Sequence, residues 1–147
     1  EATEYMWDGK QKAVTFSYDD GVCQDRRLVD MFNYYHVKAT FNINSGMQTY
    51  ASHYDFGNVR VHHMNAEGLK ELYKGHEIAV HTLTHQDLTK LDKDTVYNEV
   101  FLDKQNLERM FDCQITGMAY PYGTYNDEVV QILKKCKIQY ARSVVFS

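Results

Sequence analysis

A short run of β-branched and aromatic residues, then a loop, then an apolar helical stripe: this order recurs along the chain and leaves few architectures open. Ala13-Val14-Thr15-Phe16-Ser17 is the first run and closes at Asp19-Asp20-Gly21, after which Leu28, Val29, Met31, Phe32 and Tyr35 fall at the spacing of one helix face. The pattern predicts a second strand over Lys38 to Ile43, a helix over Asn65 to Lys74 and a strand over Glu77 to Val80. A third cycle follows, with Asp94 capping a helix from Thr95 to Phe111, a strand at Gly117 to Tyr120, Asn126 capping Asp127 to Lys135, and a last strand at Ile138 to Ala141. Strands alternating with helices give βαβ units and a parallel sheet, open or closed as a barrel. In either form a ligand site lies beyond the carboxyl ends of the strands.

The chain has 147 residues, 44% of them apolar and 24% charged, which suits a globular domain and excludes disorder or a collagen-like repeat. The only proline, Pro121, leaves no Pro-rich linker, so residues 1–147 are expected to be one domain. A net charge of −4 gives no electrostatic footprint for nucleic acid. No stretch reaches the roughly 20 apolar residues of a transmembrane helix. Cys23, Cys113 and Cys136 are odd in number and widely spaced, which points to free thiols rather than a disulfide framework or a thiolate zinc site.

The predicted strand ends carry Asp19-Asp20, then His81-Thr82-Leu83-Thr84-His85, then Tyr120-Pro121-Tyr122-Gly123. Two histidines four apart on an extended strand would stand about 13 Å from each other. Zinc holds each imidazole nitrogen at about 2.1 Å, so the segment must turn. A helical turn after the strand makes the two histidines neighbours, and a carboxylate from an adjacent strand end completes a three-ligand site with open positions. The absence of Glu after His81 excludes the helical zinc-protease motif, and the two adjacent acids can supply both a ligand and a spare base.

Ser17-Tyr18-Asp19-Asp20-Gly21, the stretch from Gly75-His76-Glu77 through His81-Thr82-Leu83-Thr84-His85, and Ala119-Tyr120-Pro121-Tyr122-Gly123 resemble, in order, the first three motifs of the polysaccharide deacetylases of carbohydrate esterase family 4, the NodB-homology domain. The resemblance spans residues 12 to 142. It implies a distorted (β/α) barrel and a divalent metal, zinc first, with Co2+, Ni2+ or Fe2+ as alternatives. Two histidines and a carboxylate suit several of these ions, so ligand type alone leaves the metal open. Carried over by position, the resemblance implies Asp20, His81 and His85 as ligands, Asp19 as general base, and the backbone N–H of Tyr122 as an oxyanion donor aimed by Pro121. The implied reaction is removal of N-acetyl or O-acetyl groups from an acetylated carbohydrate, and the implied setting is secreted or cell envelope.

Two departures matter. The third motif of the family begins with Arg, which orients the catalytic Asp, whereas this chain has Ala119. The His that serves as general acid has no counterpart, since His85 is the last histidine of the sequence. A catalytically weak carbohydrate-binding protein of the same fold, and a hydrolase of other non-peptide C–N bonds, are therefore the rival expectations. Tyr18, Tyr120 and Tyr125 are expected to pack rather than bind, and His62-His63 to be an exposed, solvated pair. Five strand-like runs and an ending at Ser143-Val144-Val145-Phe146-Ser147 suggest a barrel lacking its C-terminal strands, a domain continuing past residue 147.

Overall fold

The apolar runs become strands in the computed structural model of the chain, which describes residue 9 and residues 12–145. In chain order the elements are β1 (Ser17–Asp19), α1 (Asp25–Tyr34), β2 (Thr40–Ile43), β3 (His53–Phe56), β4 (Val59–His62), α2 (Leu69–Leu72), β5 (Glu77–Val80), α3 (Lys93–Phe111), β6 (Gly117–Ala119), α4 (Asp127–Lys135) and β7 (Tyr140–Arg142). Five strands form one sheet in the order β1-β2-β5-β6-β7, with every pairing parallel. Its edges, β1 and β7, do not pair, so the expected barrel is a curled, open half-barrel. The side chain of Arg142 on β7 nonetheless reaches Ser17 and Asp19 on β1, which shows how far the sheet curls.

Apolar burial holds the helices to this sheet. Val29 and Phe32 of α1, Val96, Val100 and Leu107 of α3, and Val129, Ile132 and Leu133 of α4 join Phe41, Ile43, Val80 and Met118 in a single core cluster. Full burial of each such side chain is worth about 1.5–3 kcal/mol. β5 and α4 occupy the predicted residues, and Asn126 caps α4 by accepting from Val129 N at 2.9 Å.

The local departures have physical causes. β1 starts at Ser17 rather than Ala13, because its ladder with β2 begins at the Ser17–Thr40 pair and Val14 is left exposed. Asp92, not Asp94, caps α3: its carboxylate accepts from Asp94 N and Thr95 N at 3.1 and 3.0 Å. α2 is a single turn in place of a helix from Asn65, since Gly68 sits at φ 82 and blocks any earlier start. Residues 53–62, a plain connection in the sequence reading, form the antiparallel hairpin β3–β4 around Gly57, which takes φ 60 in a two-residue turn. Of the apolar tail, Phe146 and Ser147 lie outside the described residues. Among the described residues no helix is long and apolar enough to cross a membrane.

Candidate metal centre

The ends of β1 and β5 bring the expected ligands together. Asp20, His81 and His85 form the one group of three or more His, Cys, Asp or Glu among the described residues that could hold a metal, with ligand atoms within 4.8 Å of one another. Asp20 Oδ1 lies 3.5 Å from His81 Nε2 and 3.6 Å from His85 Nε2. That oxygen is buried and has no hydrogen-bond partner. An orphaned carboxylate oxygen between two imidazole nitrogens is costly without a cation and suits one well, so the residues fit a divalent ion.

Each ligand is aimed by a neighbour. Asp20, directly after β1, has a left-handed backbone at φ 78; its N–H donates to Asn42 O and its carbonyl accepts from Gln48 Nε2. His81 Nδ1 lies 2.8 Å from Ala119 O, an acceptor that fixes the proton on Nδ1 and turns Nε2 toward Asp20. Burial holds the His81 imidazole below its usual titration range and favours the neutral ring a metal requires.

The turn from His81 to His85 is not helical, contrary to the sequence reading. Thr82 and His85 adopt φ 69 and 57, and the segment between them is bent rather than coiled. Glu99 of α3 enforces the bend by accepting from Thr84 N and Thr84 Oγ1 and, through its carbonyl, from Leu83 N. Asn44, just beyond β2, donates from Nδ2 to the carbonyls of both His81 and Thr82. A β-branched residue at positive φ is strained by about 1–3 kcal/mol and persists only where such contacts over-determine it.

Asp19 stands beside the ligand group. Its Oδ1 accepts from Asn42 Nδ2 at 2.9 Å and from the Arg142 guanidinium, while its Oδ2 lies 4.0 Å from His81 Nε2. Tyr122 follows Pro121 at φ 58, and its ring packs edge-on against His85 with centroids 4.8 Å apart. A cleft of about 430 Å3 opens over these groups, lined by Asp20, His85, Thr84, Tyr122 and, from the hairpin, His53, Tyr54 and His63.

The expectation that His62-His63 is an exposed pair fails at His63, which is 1% exposed beneath the hairpin. Tyr120 stacks on Tyr125 and Tyr18 packs near Phe32 and Phe41, as expected of packing residues. The sequence reading missed Asn42, Asn44, Glu99, Asp103 and Arg142. Phe41-Asn42-Ile43-Asn44 carried a signal, since two amides alternating with apolar residues on a central strand must find partners inside. Asp103, wholly buried on α3, accepts from Ser45 N and from the backbone N–H of His81, and burial pushes its carboxyl up to about 7.

Known proteins are similar to this chain in sequence and fold. The sequence profile of polysaccharide deacetylase matches residues 7–141. A putative polysaccharide deacetylase of Bacillus subtilis, YxkH, is 28% identical over 88% of this chain and 43% of its own length. The deacetylase PplD of Streptococcus pyogenes, solved with acetate, superposes at a TM-score of 0.75 with 24% identity, over 88% of this chain and 54% of that one. A Bacillus anthracis protein described as a pseudoenzyme of carbohydrate esterase family 4 superposes at 0.68 with 18% identity, over 88% and 42%. The chain thus spans about half the length of these relatives or less.

Proposed function

The chain belongs to the polysaccharide deacetylase family, and from that premise we propose that it is a metal-dependent hydrolase removing N-acetyl groups from an amino-sugar polymer. The observation that carries the proposal is the buried, unpartnered Asp20 Oδ1 between His81 Nε2 and His85 Nε2. Asp20, His81 and His85 would hold the ion. The chemistry a bound divalent ion supplies is Lewis acidity toward water and toward an acetyl carbonyl.

The chain's own groups do the rest. Asp19 takes the proton of the attacking water on Oδ2, the oxygen nearer His81, because Oδ1 is occupied by Asn42 and Arg142. The water oxygen bonds to the acetyl carbon, the C–N bond breaks as its nitrogen takes up the proton that Asp19 accepted, and acetate and a free amine leave. The Tyr122 N–H, on a loop stiffened by Pro121, steadies the negative charge that develops on the acetyl oxygen. Tyr122, His53 and Tyr54 border a cleft whose aromatic faces suit sugar rings. Zinc is the first choice of ion, and a secreted or cell-envelope setting fits a polymeric substrate.

The test is acetate release from chito-oligosaccharide, acetylated xylan and small amides by the metal-loaded protein. The proposal predicts acetate from the N-acetylated sugar and a loss of at least about 10²-fold in Asp19→Asn with the metal retained. Binding of chito-oligosaccharide without acetate from any substrate would instead assign the protein to the binding class.

A further inference from the structure

Arg142 occupies a place that bears on the chemistry of Asp19. β7 pairs with β6 so that Arg142 stands opposite Ala119, whose small side chain is wholly buried. Registered partners in a parallel pair project to the same face of the sheet. The guanidinium therefore sits one strand over from position 119, on the face that looks toward β1. From there it crosses the curled sheet from one edge strand to the other, donating from an Nη to Asp19 Oδ1 and from Nε to Ser17 Oγ at 3.1 Å.

Asn42 of β2 joins the same cluster, donating to Ser17 Oγ at 2.8 Å and to Asp19 Oδ1 at 2.9 Å. Two donors thus converge on one carboxylate oxygen and turn the other toward His81. The backbone of the same arginine holds the neighbouring loop, since Arg142 O accepts from Tyr120 N at 3.0 Å, just ahead of Pro121 and Tyr122.

We propose that Arg142 is the positioning residue of Asp19, doing from β7 what an arginine at position 119 would do from β6, and tying the orientation of the base to the loop that carries Tyr122. The inference rests on the deacetylase reading for its kinetic consequence but not for the contact itself. A planar fork that bonds Asp19 and Ser17 together sets direction in a way a lysine ammonium does not. Both side chains of the Arg142–Asp19 pair are 33% exposed, so its stabilising effect is small and orientation is its main product.

The experiment has a kinetic and a spectroscopic arm. In metal-loaded Arg142→Ala, kcat should fall about 10²-fold with KM nearly unchanged and metal content retained. Guanidinium ion added to that variant should recover about tenfold of the loss but recover nothing in Asp19→Asn, and Arg142→Lys should lie between. A kcat within about threefold of the unmodified protein overturns the role, as does a loss in a folded, metal-replete variant that guanidinium does not lift. In the metal-free protein, the carboxyl carbon resonance of Asp19, assigned through Asp19→Asn, should move in Arg142→Lys. An unmoved resonance removes the contact, whatever the activity. If the unmodified protein releases no acetate while the resonance moves, the deacetylase reading fails and the Arg142–Asp19 contact stands.

Discussion

The two ends of the parallel sheet each gather donors around a carboxylate, and they are finished differently. At the amino end Glu77 receives Thr40 Oγ1 at 2.5 Å and the Tyr140 hydroxyl at 2.6 Å, one on each oxygen, in an exposed setting. Tyr140 reaches it across Gly117, where a Cβ would lie 2.2 Å from the tyrosine ring, so a larger residue there would push Tyr140 aside. Two residues further along β7, Arg142 passes Ala119 and reaches Asp19 in a similar crossing. Yet at this end Asp20 Oδ1 is buried without a partner, and Asp20, Thr82, His85 and Tyr122 all hold left-handed backbone. Left-handed residues also end helices at the opposite end, at His36, Asp112 and Lys137, but the buried polar atoms without partners gather where a cation and a substrate are expected, while the opposite end has its carboxylate fully bonded. The difference marks a working face more sharply than the fold does, since the same fold serves a protein described as a pseudoenzyme.

The largest expected effect lies in the support beneath the working face. Asp103→Ala leaves the half-buried Ser45 N–H without its partner, leaves the His81 N–H only its bond to Ile43 O at 3.2 Å, and opens a void at a fully buried position, so urea unfolding of the metal-free protein should lose about 2–4 kcal/mol. A loss no larger than that of a surface substitution would break the contrast.

Next comes a pH dependence with a definite sign. Burial pushes Asp25, whose carboxylate accepts from the Tyr73 hydroxyl, up to about 6, so the folded chain holds that proton more tightly than the unfolded chain. Its contribution to stability is full below about pH 4 and is lost as pH rises through about 6, a change of up to about 3 kcal/mol. Comparing the metal-free protein with Asp25→Asn at pH 5 and 7.5 isolates it; the variant should decline less with rising pH. Asp103 acts in the same direction, and the depressed titration of His81 acts in the opposite one.

The smallest effect is at the other end of the sheet. Glu77→Gln should cost less than about 1 kcal/mol in urea unfolding and leave acetate release unchanged. A rate loss comparable with that of Asp19→Asn would erase the distinction between the two ends.

The parallel sheet, most of its helices and the placing of Asp20, His81 and His85 at strand ends were legible in the sequence, because apolar periodicity and the strand-end motifs are local signals. Asp20, His81 and His85 do converge. What was illegible depends on partners far apart in sequence. The bend between His81 and His85 is set by Glu99 and Asn44, not by any preference of Leu83 or Thr84. Of the two partners of Asp19, Arg142 lies 123 residues away, where nothing in a Tyr-Ala-Arg strand announces it. The β3–β4 hairpin was readable in principle from Phe56-Gly57-Asn58-Val59 between two alternating runs.

The central claim is that Asp20, His81 and His85 are built to hold a cation beside a free base. Calorimetric titration of Zn2+ into the metal-free protein tests it most directly. Saturable binding of a single ion, abolished in Asp20→Ala and His81→Ala but kept in Asp19→Asn, is the predicted result. Unchanged affinity in Asp20→Ala, or no saturable binding by the unmodified protein, would contradict it.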